Sequence, residues 1–178
     1  QEWGYLVEKG SIKDEFSPHI KYCILELLSF LESEMPDEER FQVMKKILFV
    51  AASETDEERK KHIPHAYMKI VKQLSSEEIL IMNAIFNILK NKPDKIDNLK
   101  NTNKGRSNIF PDEWLNLMAL ESGLNHKELV VIQEQKLIDK KLISPRDQRG
   151  ETILINNNFR LTSLGLGIWE YINKYDKL

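Results

Sequence analysis

The chain holds a single cysteine, Cys23, in 178 residues. No internal disulfide can form, and a reducing compartment fits best. Cys23 lies in an apolar run with no basic partner to activate it, so it reads as a small buried hydrophobe, not a nucleophile. Glycine and proline are scarce, 7 and 6 residues, which excludes low-complexity classes and leans the chain towards helix. An excess of charge of one sign is also missing. With 26 Lys and Arg against 28 Asp and Glu the net is −2, which supplies no general pull towards nucleic acid or anionic membrane. No apolar run approaches the ~20 residues that span a bilayer, and no signal peptide opens the chain. These absences point to the cytoplasm. The first residue is Gln1 and not Met, which reads as a trimmed start and leaves open a targeting or membrane segment before it. Phosphate-binding glycine loops, dinucleotide fingerprints, nucleophile elbows and paired zinc histidines are all absent, so neither an enzyme nor a cofactor is expected.

What is present describes an ordinary globular protein: 41% hydrophobic and 30% charged residues, enough for one or two small domains with a sizeable core. The halves differ mildly in charge. Residues 1–78 carry 11 Lys and Arg against 16 Asp and Glu, and residues 79–178 carry 15 against 12. The most apolar stretch is Ser75 to Lys90. Between Ile79 and Leu89 only Asn83 and Asn87 are polar, four residues apart on one narrow stripe. Such a helix needs cover on most sides. Ser75 with Glu78 reads as the capping box that starts it.

Other helices follow from the same periodicity. Ile20 to Leu31 is expected to turn Ile20, Ile24, Leu27, Leu28 and Leu31 to one side, with Lys21, Glu26 and Ser29 on the other. Pro36 suits the first turn of a second helix, with Asp37, Glu38 and Glu39 against its positive end and Phe41, Met44, Ile47, Leu48 and Ala51 as its apolar face. Thr55 with Glu58 signals a short charged turn. Pro64 interrupts, and Tyr67, Ile70, Val71 and Leu74 lead on to the central helix. Residues 1–17 receive no assignment. The polar stretch 91–108 reads as a linker with at most a turn around Ile96 and Leu99. Phe110 to Leu120 resumes helix and ends at Gly123 in a left-handed conformation. Asn125 with Glu128 caps the next helix, whose apolar positions are Leu129, Val130, Ile132, Leu137 and Ile138. Leu142–Ile143 reads as a short strand. Glu151–Ile155 and Phe159–Leu161 read as strands joined by a tight hairpin at Asn156–Asn158. Thr162 or Ser163 caps the last helix.

From Ser75 onward this order matches the layout of a winged helix, with the helix after Gly123 as recognition helix and a wing from Leu142 to Thr162. The phrase Arg160-Leu161-Thr162-Ser163-Leu164-Gly165 resembles the strand-to-helix ending common in such wings. Earlier phrases extend the likeness. Pro36-Asp37-Glu38-Glu39-Arg40 through Ala51-Ala52-Ser53, and Tyr67-Met68-Lys69-Ile70-Val71-Lys72-Gln73-Leu74-Ser75, are similar to segments of the Abi-alpha (abortive-infection alpha) family, as are Leu142-Ile143 and Arg160 to Gly165. The resemblance runs over roughly residues 20–175, and Lys72-Gln73-Leu74-Ser75 is its most specific piece. Where that family has His-Pro this chain has Pro64-His65, and its wing is short. The resemblance implies bacterial phage defence as a context and names no reaction.

Two function classes therefore stand. The first is a non-enzymatic interaction protein in phage defence, working through protein contacts of its acidic helical face or its basic loop, with a homodimer as one assembly. The second is a winged-helix DNA-binding regulator. Its phosphate contacts would come from Lys100, Lys104 and Arg106 in the polar stretch, from Lys140 and Lys141 after the recognition helix, and from Arg146 and Arg149 at the wing tip. Residues 126–141 carry Lys127, Lys136, Lys140 and Lys141 against Glu128, Glu134 and Asp139, a weak basic bias for a DNA reader. His62 and His65 have ligand-like spacing, but Pro64 lies between them and no third ligand follows, so no metal is expected. The carboxylates Asp56, Glu57 and Glu58 read as a helix start and not as a catalytic pair. The expected architecture is mainly α, with a helical subdomain over 1–74 and a winged-helix-like subdomain over 75–178.

Overall fold

In a computed structural model the chain is described at residues 1–12, 17–33, 37–54, 63–91, 108–109, 111–145, 153–154 and 160–178. The protein is mainly helical. Among the described residues the order is α1 (Glu2–Glu8), α2 (Pro18–Ser33), α3 (Glu38–Ser53), α4 (Ile63–Lys72), α5 (Ser76–Asn91), β1 (Asn108–Ile109), α6 (Pro111–Ser122), α7 (Lys127–Asp139), β2 (Ile153–Leu154) and α8 (Ser163–Ile172), closed by a 3₁₀ turn, Asn173–Lys177. The chain divides into two compact units, one made of residues 1–76 and 170–178, the other of 77–169.

In the first unit α2, α3 and α4 pack on one another. Helix α3 begins at Glu38, after Pro36 and not with it in the first turn, because the Asp37 side chain takes the capping position. Asp37 is its N-cap, accepting from the Arg40 backbone N–H at 3.2 Å and from the Arg40 guanidinium at 3.3 Å. Its second half, Ile47 to Ala52, is buried without a break. Pro64 does not interrupt α4. It sits in that helix's first turn, where a missing N–H breaks no intrahelical bond. The N-terminal segment that lacked an assignment forms α1, which docks through Trp3 on Phe49 (5.5 Å between ring centroids) and through Glu2, which takes Lys45 and the Tyr175 hydroxyl.

Helix α2 corrects an expectation. Ile20, Cys23 and Phe30 are buried, whereas Leu28 and Leu31 are exposed. Apolar residues occupy too many positions of this helix for periodicity alone to choose its inner face. The Thr55–Glu58 cap lies outside the described residues.

In the second unit α5 buries Ile79, Ile81, Met82, Ala84, Ile85, Phe86 and Ile88, the wrapping that its near-continuous apolar sequence requires. Its two asparagines divide. Asn83 accepts the Trp169 indole N–H at 2.6 Å, while Asn87 is exposed. Helix α6 packs on α7 across a tight turn with two left-handed residues, Gly123 (φ 74°) and Asn125 (φ 60°). Asn125 is consumed by this turn, its amide donating to the Gly123 carbonyl at 3.0 Å, and the N-cap of α7 is His126. Asparagine tolerates the left-handed region better than other non-glycine residues. Strands β1 and β2 pair antiparallel, Asn108 with Leu154 and Ile109 with Ile153. Ile143 forms an antiparallel bridge with Leu161. The hairpin expected at Asn156–Asn158 and the turn around Ile96 and Leu99 lie outside the described residues.

Candidate functional site

The base of the 142–162 segment is held by a buried polar cluster that explains the Arg-Leu-Thr phrase residue by residue. Arg160 is 1% exposed and adopts φ 72°, a left-handed conformation that costs a side-chain-bearing residue about 1–2 kcal/mol. The cost is offset by what the guanidinium reaches. Its Nη1 donates to Glu134 Oε1 at 2.7 Å, and its Nε and Nη2 donate to the Ser144 carbonyl at 3.2 and 3.0 Å. Glu134 Oε1 also accepts the Trp114 indole N–H at 2.5 Å, and the guanidinium carbon stands 5.5 Å from the Trp114 ring centroid. One carboxylate thus ties α6, α7 and the segment before α8 together.

Leu161 is buried. Thr162 Oγ1 caps α8 by accepting the Gly165 N–H at 3.0 Å, and it lies 2.8 and 3.1 Å from the Lys141 and Leu142 carbonyls, to which its hydroxyl hydrogen can turn. At Gly165 a Cβ would overlap the Leu142 carbonyl oxygen outright and stand 3.1 Å from that carbonyl's carbon and 3.2 Å from Met82 Cε. Only glycine lets α8 come this close to the 142–143 strand segment.

In the sequence Trp114 is one apolar residue of the 110–120 helix, Glu134 one charge of the 126–141 stretch, and Arg160 part of the Arg-Leu-Thr phrase. The signal for Glu134 was present. It lies at i+4 from Val130 and i−3 from Leu137, the two buried apolar residues of α7, so its carboxylate falls on the inner face.

The same helix turns a very different face outward. Glu128, Leu129, Val131, Ile132, Gln135, Lys136 and Asp139 are exposed. Ile132, 51% exposed, is near the centre of that arc, with Leu129 and Val131 to either side. Gln135 donates to Asp139 at 2.9 Å.

The charges read from the sequence as a weak basic bias around this helix are largely spent within the unit. Lys127 lies 3.6 Å from Asp112, Lys140 pairs with the buried Glu78, and Glu134 pairs with Arg160. Lys136 and Lys141 then stand against Glu128 and Asp139, which cancels. Among the described residues, the expected recognition surface is apolar at its centre and neutral in sum.

Of the seven cations proposed for nucleic-acid contact, Lys100, Lys104, Arg106, Arg146 and Arg149 lie outside the described residues. Lys140 is engaged by Glu78. Lys141 is exposed, in a left-handed conformation (φ 58°) directly after the helix. The two described members are neighbours in sequence, and of the two only Lys141 is exposed.

Cys23 is fully buried, and burial, with the Glu26 charge adding to it, pushes its thiol up to about 12, far from a reactive thiolate. His65 stacks on Tyr22 (5.4 Å) with a ring nitrogen 3.4 Å from Glu26; His62 and Asp56 to Glu58 lie outside the described residues. Among the described residues no group of three or more His, Cys, Asp or Glu is placed to hold a metal ion, and no helix is long and apolar enough to cross a membrane. Comparison with protein-family models, with curated proteins and with solved structures finds no match in any of the three.

Proposed function

We propose that this chain is a non-enzymatic interaction protein that works through the outward face of α7, in a phage-defence context of the Abi-alpha kind. One observation carries the interaction reading. The helix in the recognition position of a winged-helix layout presents Ile132, Leu129 and Val131 to solvent with balanced charge around them. A DNA reader needs hydrogen-bonding and cationic side chains at that place. A protein-binding face needs an apolar centre with a polar rim.

The winged-helix reading itself is supported by the order α5, β1, α6, α7, β2, α8, by the antiparallel pairing of β1 with β2, and by the isolated Ile143–Leu161 bridge. The phage-defence context rests on the sequence phrases Lys72 to Ser75 and Arg160 to Gly165.

The test is the plating efficiency of a phage panel on bacteria expressing the wild-type chain, the Ile132→Asp variant or the Arg146→Ala/Arg149→Ala variant. Expected are reduced plating with wild type, loss of that reduction with Ile132→Asp, and its retention in the double arginine variant. Full plating of every phage on wild-type cells would overturn the defence context. Loss of protection in the arginine variant, with Ile132→Asp still protective, would overturn the protein-contact mechanism in favour of DNA.

A further inference from the structure

Helix α2 carries a second open apolar stripe, independent of the α7 face. Tyr22, Leu25, Leu28 and Leu31 are exposed, Leu25 by 60%, while Ile20, Cys23 and Phe30 fill the opposite side. Around the helix, Lys21, Leu25, Leu28 and Glu32 fall on one line with spacings of four, three and four, the pattern of a helix-pairing seam. All four are exposed, and Tyr22 and Leu31 widen the stripe on its two flanks. Lys21 and Glu32 have no ion pair with another described residue.

The order of these four residues selects an occupant. In an antiparallel pair of identical helices, a twofold axis between Glu26 and Leu27 sets Leu25 of one copy against Leu28 of the other. The same axis sets Lys21 against Glu32 at both ends. A parallel pair would instead oppose Lys21 to Lys21 and Glu32 to Glu32. Shape and charge are therefore self-complementary in one orientation only, as an isologous interface requires.

We infer that a second copy of this chain packs on α2, antiparallel, through Lys21, Leu25, Leu28 and Glu32. A 16-residue helix is about 24 Å long. A seam of one such helix lies at the small end of interfaces, below about 1,200 Å² in total, where complexes are transient. Monomer and dimer therefore exchange at concentrations on the order of micromolar.

Sedimentation velocity on the full chain, over a range from about 1 to 200 µM around that constant, tests this. The mass is expected to rise from that of one chain, 20.9 kDa, towards twice that value. Leu25→Asp is expected to hold the chain monomeric throughout, with an unchanged circular dichroism spectrum because the site is exposed. Lys21→Glu places like charges opposite each other and is expected to weaken the dimer about tenfold, and the exchange Lys21→Glu/Glu32→Lys to restore it. Ile132→Asp, on the α7 face, is expected to leave the dimer intact. A wild-type chain monomeric at every concentration overturns the inference. So does a dimer indifferent to Leu25→Asp, one lost in Ile132→Asp, or one that the charge exchange fails to restore.

Discussion

Replacing Glu134 with leucine tests the cluster that fixes α7 to the base of the 142–162 segment. The substitution removes the acceptor of Arg160 Nη1 at 2.7 Å and of the Trp114 indole at 2.5 Å, both inside the unit. Removing one partner of a buried ion pair costs about 3–5 kcal/mol, because the remaining charge stays desolvated. The indole donor adds about 1–3 kcal/mol. Against a total of about 5–15 kcal/mol for a small domain, the variant should lose a large part of its stability.

The double variant Glu134→Leu/Arg160→Met removes the buried charges together. Its loss should therefore fall short of the sum of the two single losses by about 2–3 kcal/mol. Urea titration followed by tryptophan fluorescence in a Trp3→Phe background reads this directly, since Trp114 and Trp169 both belong to the 77–169 unit. A Glu134→Leu loss below about 1 kcal/mol, or single losses that add within about 0.5 kcal/mol, would refute the reasoning.

Two further outcomes follow from particular contacts. Gly165→Ala should lower stability by about 1–3 kcal/mol, since its methyl would meet the Leu142 carbonyl and one of the two chain segments must move; unchanged urea midpoints would show that the close approach is not needed. The first unit should lose stability in acid. Burial raises the Glu26 and Asp37 carboxyls, but for Glu26 the bonds and charges of Lys72 and His65 outweigh it. For Asp37 the Ser76 hydroxyl and Arg40 do so, and Glu2 is lowered first by the Tyr175 hydroxyl. All three folded values therefore lie below the ordinary 4.5 for Glu and 3.8 for Asp. Their contribution is complete above those values and is lost as pH falls through the lower, folded ones. Thermal melts should hold level down to roughly pH 5 and decline below about 4, and a Tm independent of pH through that range would contradict the assignment.

Helix positions were legible in the sequence because apolar spacing and end signals agree: the acidic run Asp37 to Glu39 marks the start of α3, Gly123 ends α6 in the left-handed region, Thr162 caps α8. The inner face of α2 was not legible. With Ile, Leu, Cys, Tyr or Phe at most of its positions, no single stripe stands out, and only packing chooses Cys23 and Phe30 over Leu28 and Leu31. Strand β1 was hidden as well. Two residues at the end of a polar stretch carry no alternation, and their pairing with Ile153 and Leu154 is long-range.

The charge of the α7 face was not legible for a related reason. A charge count along α7 treats every Lys and Glu as solvated, whereas Glu134 and Glu78 are buried and their partners are engaged with them. Once those pairs are removed, the face that remains is defined by Ile132 and its apolar neighbours.

The central claim is that this face meets protein and not DNA. Fluorescence anisotropy of a labelled random duplex, titrated with the full chain at low and at near-physiological salt, tests it most directly. The account predicts no saturable binding at near-physiological salt, and the same flat response from the Arg146→Ala/Arg149→Ala variant. Saturable binding with a steep salt slope, lost when those two arginines are replaced, would contradict it.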